Sequence, residues 1–178
     1  MGKTKPDSLN EYLDQFITEA KELLLQGILF NGAHYTIQIG AFVCDAPARA
    51  FLKNIKLHSG YSACKKCVVE SEWSGRVIYT DVNCQLRTNE VFAAMDDQEH
   101  HKGSTPLLEL GIGIVTNFPI DYMHLVCKGV VGKLVKQWIG KGGLMGRYPA
   151  KKTAEISDKL ISMAKDFPTE FSRKPRAI

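Results

Sequence analysis

The sequence predicts an α/β fold, because helical and strand-like hydrophobic patterns alternate along the chain. With 178 residues, 44% of them hydrophobic, the chain is long enough for one domain with its own core. A long amphipathic pattern comes first, an alternating apolar pattern follows, and two further helical patterns occupy the C-terminal third. A stretch rich in Cys, His and Gly lies between the alternating pattern and the two C-terminal helical patterns. We therefore predict three regions: 1–57, 58–106 and 107–178.

The first region, 1–57, begins with a helix and a strand. The string Ser8-Leu9-Asn10-Glu11 is typical of a capping box, and apolar residues then repeat at helical spacing. These features predict a helix over about 8–26. Alternating apolar residues over 35–39, followed by an apolar run over 41–44, predict a strand that is buried at its far end.

Asp45 follows this predicted strand directly, and Pro47 stands early in the next helical pattern. A carboxylate at the end of a buried strand could bind Mg²⁺ or Mn²⁺, which prefer oxygen ligands and assist phosphoryl transfer. Asp45 could equally cap the following helix by accepting from its first backbone amides. Both interpretations are open from the spacing.

The second region, 58–106, is an irregular insert that contains the CxxC string Cys64-Lys65-Lys66-Cys67. Two thiolates at this spacing can bind one tetrahedral Zn²⁺, and a structural zinc would order a segment that has few apolar residues. The candidates for the remaining ligands are His58, His100, His101 and His124. A redox pair or two buried cysteines would give the same pattern. The five cysteines and the absence of a secretory signal argue against a disulfide framework.

The third region, 107–178, is predicted to contain a strand over 107–118 and helices over about 119–140 and 150–166. Asp121 and His124 are three residues apart on the opening turn of the first of these helices. They could bind one metal ion or each other, or Asp121 could simply cap the helix.

The basic residues are concentrated in two segments. Between Glu22 and Glu70 the only acidic residue is Asp45, and the stretch 122–154 has none. Such segments predict binding to a polyanion such as DNA, although lysines also commonly solvate helix faces. The candidate DNA contacts are Arg49, Lys53, Lys65, Lys66, Lys128, Lys133 and Lys136. No apolar run approaches the roughly 20 residues of a membrane helix, so no membrane partner is expected.

Several strings resemble the transposase domain of CACTA (En/Spm-like) DNA elements, in the version found in animal genomes. They occur in the family's order along nearly the whole chain: CDAPARAFLK at 44–53, HSGY at 58–61, LRT at 86–88, QEHH at 98–101, STPLL at 104–108, FPIDYMHLVC at 118–127 and EFSRKPR at 170–176. The resemblance implies an RNase H-like core in which three acidic residues hold two Mg²⁺ or Mn²⁺ ions. It also implies a zinc-binding insert between the second and third acids, and cleavage and strand transfer of DNA as the reaction.

On this template Asp45 matches the second acid and Cys64 and Cys67 match the CxxC of the insert. The Asp121-to-His124 string matches a downstream motif. The first acid has no match, because a helix precedes the strand, and the third acid is expected beyond Ile178, with Glu170 a weaker candidate. The resemblance thus implies a nuclear, transposase-derived fragment that does not cleave DNA alone and could form homo-oligomers. The alternative is a zinc-stapled module that binds DNA or a protein without catalysis.

Overall fold

A computed structural model describes residues 6–140, 146–170 and 173–178. The chain forms two compact units: an N-terminal unit, Met1–Asp121, and a C-terminal unit, Tyr122–Ile178. The predicted insert is not a separate body, because it belongs to the same unit as the first region. Among the described residues no helix combines the length and the apolar content needed to cross a membrane.

The first helix, α1 (Leu9–Gln26), confirms the prediction from the capping box. The Ser8 side chain accepts a hydrogen bond from the backbone N–H of Glu11, as the pattern requires. Gly27 ends the helix at a φ of 70°, where its N–H donates to the carbonyl of Leu23. The residues of α1 that face the core are Leu13, Ile17 and Ala20.

A short antiparallel hairpin follows, in which β1 (Ile28–Phe30) pairs with β2 (Ala33–Tyr35). The strand predicted over 35–44 is wrong beyond Tyr35, since residues 36–45 form no strand. Asn117 takes the place of a neighbouring strand: its carbonyl accepts from the N–H of Phe42, and its side-chain amide donates to the carbonyls of Ile39 and Gly40. A strand requires a partner, and the alternating pattern alone could not show that this one is replaced by a side chain.

The next helix, α2 (Ala46–Leu52), leads into the Cys- and His-rich segment. That segment contains the hairpin of β3 (Glu72–Trp73) and β4 (Val77–Ile78), and helix α3 (Asn89–Ala94). Backbone hydrogen bonds around the bridge between Cys67 and Leu86 tie its two halves together. A second bridge, between Ile55 and His101, joins the segment to the chain that follows α2. These contacts join the insert to the rest of the N-terminal unit, and Phe92 of α3 packs in its core.

The strand predicted over 107–118 is also wrong. Pro106–Leu110 is a 3₁₀ helix, with the Thr105 hydroxyl accepting from its first turn and Gly111 ending it at a φ of 65°. Leu107 and Leu110 are three residues apart, and this spacing turns both into the core in a 3₁₀ helix. The core contains residues of α1, α2, α3 and this helix, together with Ile114, Val115 and Phe118.

The C-terminal unit is helical, as predicted. A π-helix (Tyr122–Val131) continues into α4 (Gly132–Trp138), and α5 (Ala150–Ser162) is followed by one 3₁₀ turn (Met163–Lys165). The C-terminus returns to α5, where the N–H of Ile178 donates to the Ser157 hydroxyl. Phe171 and Ser172, within the last string of the resemblance, lie outside the described residues. The sheets of the described chain are two small hairpins, and the RNase H-like core stays a prediction.

Candidate functional site

Asp45 is the N-cap of α2. One of its carboxylate oxygens accepts a hydrogen bond of 2.8 Å from the backbone N–H of Ala48. Burial raises the pKa of the neighbouring Cys44 thiol, and the negative charges of Asp45 and Asp121 add to this effect. No group of three or more His, Cys, Asp or Glu residues that could hold a metal ion is found in the part of the chain that the structure describes.

The catalytic metal site that the resemblance implies is thus not assembled among these residues. Asp45 already has a structural partner, and a two-metal site requires several carboxylates close together. Glu170, the weaker candidate for a third acid, lies in the C-terminal unit. The described residues assemble no carboxylate set of the kind that Mg²⁺ or Mn²⁺ needs, and these ions stay a prediction.

Three of the predicted DNA contacts donate to backbone carbonyls of the N-terminal unit. Arg49 donates to the carbonyl of Cys44 at 2.9 Å, and Lys65 donates to that of Ala46 at 2.8 Å. Lys66 donates to the carbonyls of Val115 and Phe118. The two lysines join the CxxC turn to the start of α2 and to the chain that follows the 3₁₀ helix. Their geometry favours a structural role over the DNA contacts that the sequence predicts for them.

Lys53, a fourth predicted DNA contact, is buried with only 1% of its surface exposed. Its ammonium nitrogen lies 4.8 Å from the ring centroid of Phe92 and 5.7 Å from that of Phe118. Burial, together with the positive charges of Lys66 and Lys65, lowers the pKa of Lys53 to about 7. A cation in this position cannot reach a DNA phosphate without unfolding its surroundings.

The two thiols of the CxxC lie close together, with 3.1 Å between the sulfurs of Cys64 and Cys67. Thiolates that share a tetrahedral zinc lie about 3.7 Å apart, given Zn–S bonds of about 2.3 Å. A small opening of the turn would therefore suit zinc. The pair supplies two of the four ligands that a structural zinc site needs.

Among the described residues, no histidine is grouped with these two thiols as a metal-binding set. His100 is fully buried and its Nδ1 lies 2.7 Å from the carbonyl of Ser62, while its Nε2 has no hydrogen-bond partner among the described residues. Both ring nitrogens of His101 are buried and also without a described partner, and the ring packs on Phe92. His58 and His124 are exposed. The four-ligand zinc site stays a prediction, and what the structure shows is that the Cys64 and Cys67 thiols lie close together.

Arg87 and Asp97 form a buried ion pair that sequence reasoning missed. Arg87 also donates to the carbonyls of Cys64 and Ser62, and an Asp97 oxygen accepts from the backbone N–H of His100. The pair therefore holds the CxxC turn against the following histidines. Arg87 was within a string of the resemblance, but its partner could not be inferred from the spacing.

The remaining predicted DNA contacts, Lys128, Lys133 and Lys136, are exposed on the π-helix and α4. His124 is exposed on the same π-helix, whereas Asp121 ends the N-terminal unit, so the boundary between the units divides this motif. The charges of the two units differ in sign. The C-terminal unit has twelve Lys and Arg against four Asp and Glu, a net charge of +8, and the N-terminal unit has eleven against fifteen, a net charge of −4.

Comparisons of the chain with family models, with curated proteins and with solved structures found no match in any of the three. The resemblance to CACTA transposases therefore stays a prediction from the strings quoted above.

Proposed function

We propose that this chain is a transposase-derived DNA-binding module in which the C-terminal unit holds the phosphate backbone. The observation that supports this most directly is the opposite charge of the two units, +8 and −4. Neutralisation of phosphates by Lys and Arg, with release of counterions, supplies most of the affinity of sequence-independent DNA binding.

The alternative for the basic residues is that they only solvate helix faces. Such lysines commonly pair with acids three or four residues away, and Lys152 pairs with Glu155 in this way on α5. The stretch 122–154 has no acidic residue, so Lys128, Lys133 and Lys136 have no acid near them on their own helix. This uncompensated charge supports phosphate binding.

DNA cleavage is not part of the proposal, because Asp45 caps α2 and the described residues assemble no set of carboxylates around it. Zinc binding by Cys64 and Cys67 is a second, structural part of the proposal, and it does not depend on DNA binding. A DNA partner implies a nuclear location. The transposase ancestry rests on the resemblance and the DNA binding rests on the charge, so each can be tested without the other.

The DNA-binding proposal can be tested by fluorescence anisotropy of a labelled duplex between about 50 and 200 mM salt. Replacement of Lys128, Lys133 and Lys136 with Gln should weaken binding and reduce the steepness of the log–log salt dependence by about 2 to 3. The matched control is replacement of Lys21, Arg76 and Lys102 with Gln, which removes the same charge from exposed sites of the N-terminal unit. Equal weakening in both triple variants would contradict the proposal.

The zinc part can be tested by metal analysis of the purified protein. We expect about one zinc per chain in the wild type and none in Cys64→Ser, because loss of one thiolate of the CxxC removes half of the paired ligands. Cys127→Ser is the control, since Cys127 is exposed in the C-terminal unit. If the purified wild-type protein contains no zinc, the zinc proposal is wrong and Cys64 and Cys67 are two neighbouring thiols.

A further inference from the structure

The end of α4 carries an aromatic pair that the backbone holds in place. Trp138 is the last residue of α4, and Gly140 turns the chain at a φ of 82°. The chain returns so that the N–H of Tyr148 donates to the carbonyl of Trp138 at 2.7 Å. The two ring centroids are 5.7 Å apart, with 39° between the ring planes.

The side chain of Arg147 lies against Gly140, close to this pair along the chain. A Cβ atom at Gly140 would stand 2.5 Å from Nε of Arg147, closer than real contacts allow, so the guanidinium rests on the space that glycine leaves open. Arg147 precedes Tyr148, and Gly140 is two residues from Trp138. Trp138 remains 37% exposed.

A partly exposed indole in a basic unit suits a nucleobase. Proteins that bind single-stranded nucleic acid combine positive charge along the backbone with aromatic side chains on which bases stack. Centroids 5.7 Å apart fall in the range of rings in direct contact, about 4.5–7 Å, so a base has no room between Trp138 and Tyr148. It would stack on the outer face of the indole. Bases of an intact duplex already stack on each other, so the base must be unpaired.

We propose that Trp138, supported by Tyr148 and Arg147, is a stacking site for an unpaired nucleobase, and that the C-terminal unit therefore prefers DNA with a single-stranded stretch. This proposal rests on the proposed DNA binding and adds the class of DNA to it. The surrounding charge of +8 supplies the attraction to phosphates, and the indole supplies the contact that a duplex cannot offer.

The chain has two tryptophans, which gives the test an internal control. In Trp73→Phe only Trp138 fluoresces, and in Trp138→Phe only Trp73, which is exposed in the N-terminal unit. Titration with oligothymidylate should quench the emission of Trp73→Phe and leave that of Trp138→Phe unchanged, because stacking on a base quenches an indole. Equal quenching of both variants, or none in Trp73→Phe while anisotropy shows that the oligonucleotide is bound, would overturn the stacking site.

Affinity gives a second readout that separates this site from the proposed function. Trp138→Leu should bind oligothymidylate roughly tenfold more weakly, while its affinity for a duplex of equal length should change little. Trp138→Phe keeps a ring and should recover most of the loss, and unchanged helical circular dichroism would show that both variants fold. Equal loss for both DNAs would overturn the stacking site and leave the duplex binding intact. Failure of the wild type to bind either DNA would overturn both proposals.

Discussion

The two units of this chain use their basic residues in different ways. In the N-terminal unit Arg49, Lys65 and Lys66 bond to backbone carbonyls, and Lys53 is buried against two aromatic rings. In the C-terminal unit the lysines of the π-helix and α4 are exposed, and Ser157 is the only buried residue among those described. A basic segment in the sequence therefore shows where positive charge is, while its burial decides whether that charge can meet a partner.

The two units also differ in how deeply their apolar side chains are buried, and this difference predicts the largest effect on stability. Leu107 is fully buried in the N-terminal unit, so Leu107→Ala should lower the free energy of unfolding by about 2–5 kcal/mol, from lost burial and the cavity left behind. Leu134 on α4 is 38% exposed, and Leu134→Ala should cost less than about 1 kcal/mol. Urea unfolding of both variants measures the contrast. A similar cost for the two would show that the C-terminal unit has a core of its own.

The buried cation predicts an effect of pH. The pKa of Lys53 is about 7 in the folded chain, below its ordinary value of 10.5, so the unfolded chain binds more protons between these limits. Stability should therefore rise with pH, by about 1 kcal/mol per pH unit between about pH 7.5 and 9.5. Part of any rise belongs to Lys65, whose pKa burial lowers to about 8.

The variant Lys53→Met keeps the apolar stem and removes the charge, and its stability should depend less steeply on pH than that of the wild type. Lys102, which is exposed, gives the control Lys102→Met, for which we expect the wild-type dependence. Denaturant midpoints at several pH values are the measurement. If the pH dependence of stability is the same in Lys53→Met as in the wild type, the Lys53 ammonium is exposed to water and this prediction is wrong.

The smallest expected effect concerns Asp45. Asn also caps helices well, so Asp45→Asn should change stability by less than about 0.5 kcal/mol, whereas Asp45→Ala should cost about 0.5–2 kcal/mol. Thermal unfolding measures both.

The same variants test the catalytic interpretation of Asp45 in a nicking assay on supercoiled DNA with Mg²⁺ or Mn²⁺. Metal-dependent nicking by the wild type that is lost in Asp45→Asn would show that Asp45 acts as a catalytic acid.

The sequence by itself determined the elements whose signals are local. Helix α1 with its Ser8 cap and helix α5 follow from hydrogen bonds within one turn and from apolar periodicity, whereas the cap of α2 was one of two interpretations of Asp45. The pairing of Cys64 and Cys67 also follows from their short spacing on one turn. The charge asymmetry of the chain is likewise a property of the sequence, although its division between two units is not.

Tertiary structure decided what depends on distant neighbours. The apolar residues at 36–44 have the alternation of a strand, but Asn117 occupies the position where another strand would pair. The burial of Lys53 and the ion pair of Arg87 with Asp97 depend on segments far away along the chain. The sequence lists the charged side chains, whereas the fold decides which of them face protein and which face solvent, because burial is a property of the packed chain.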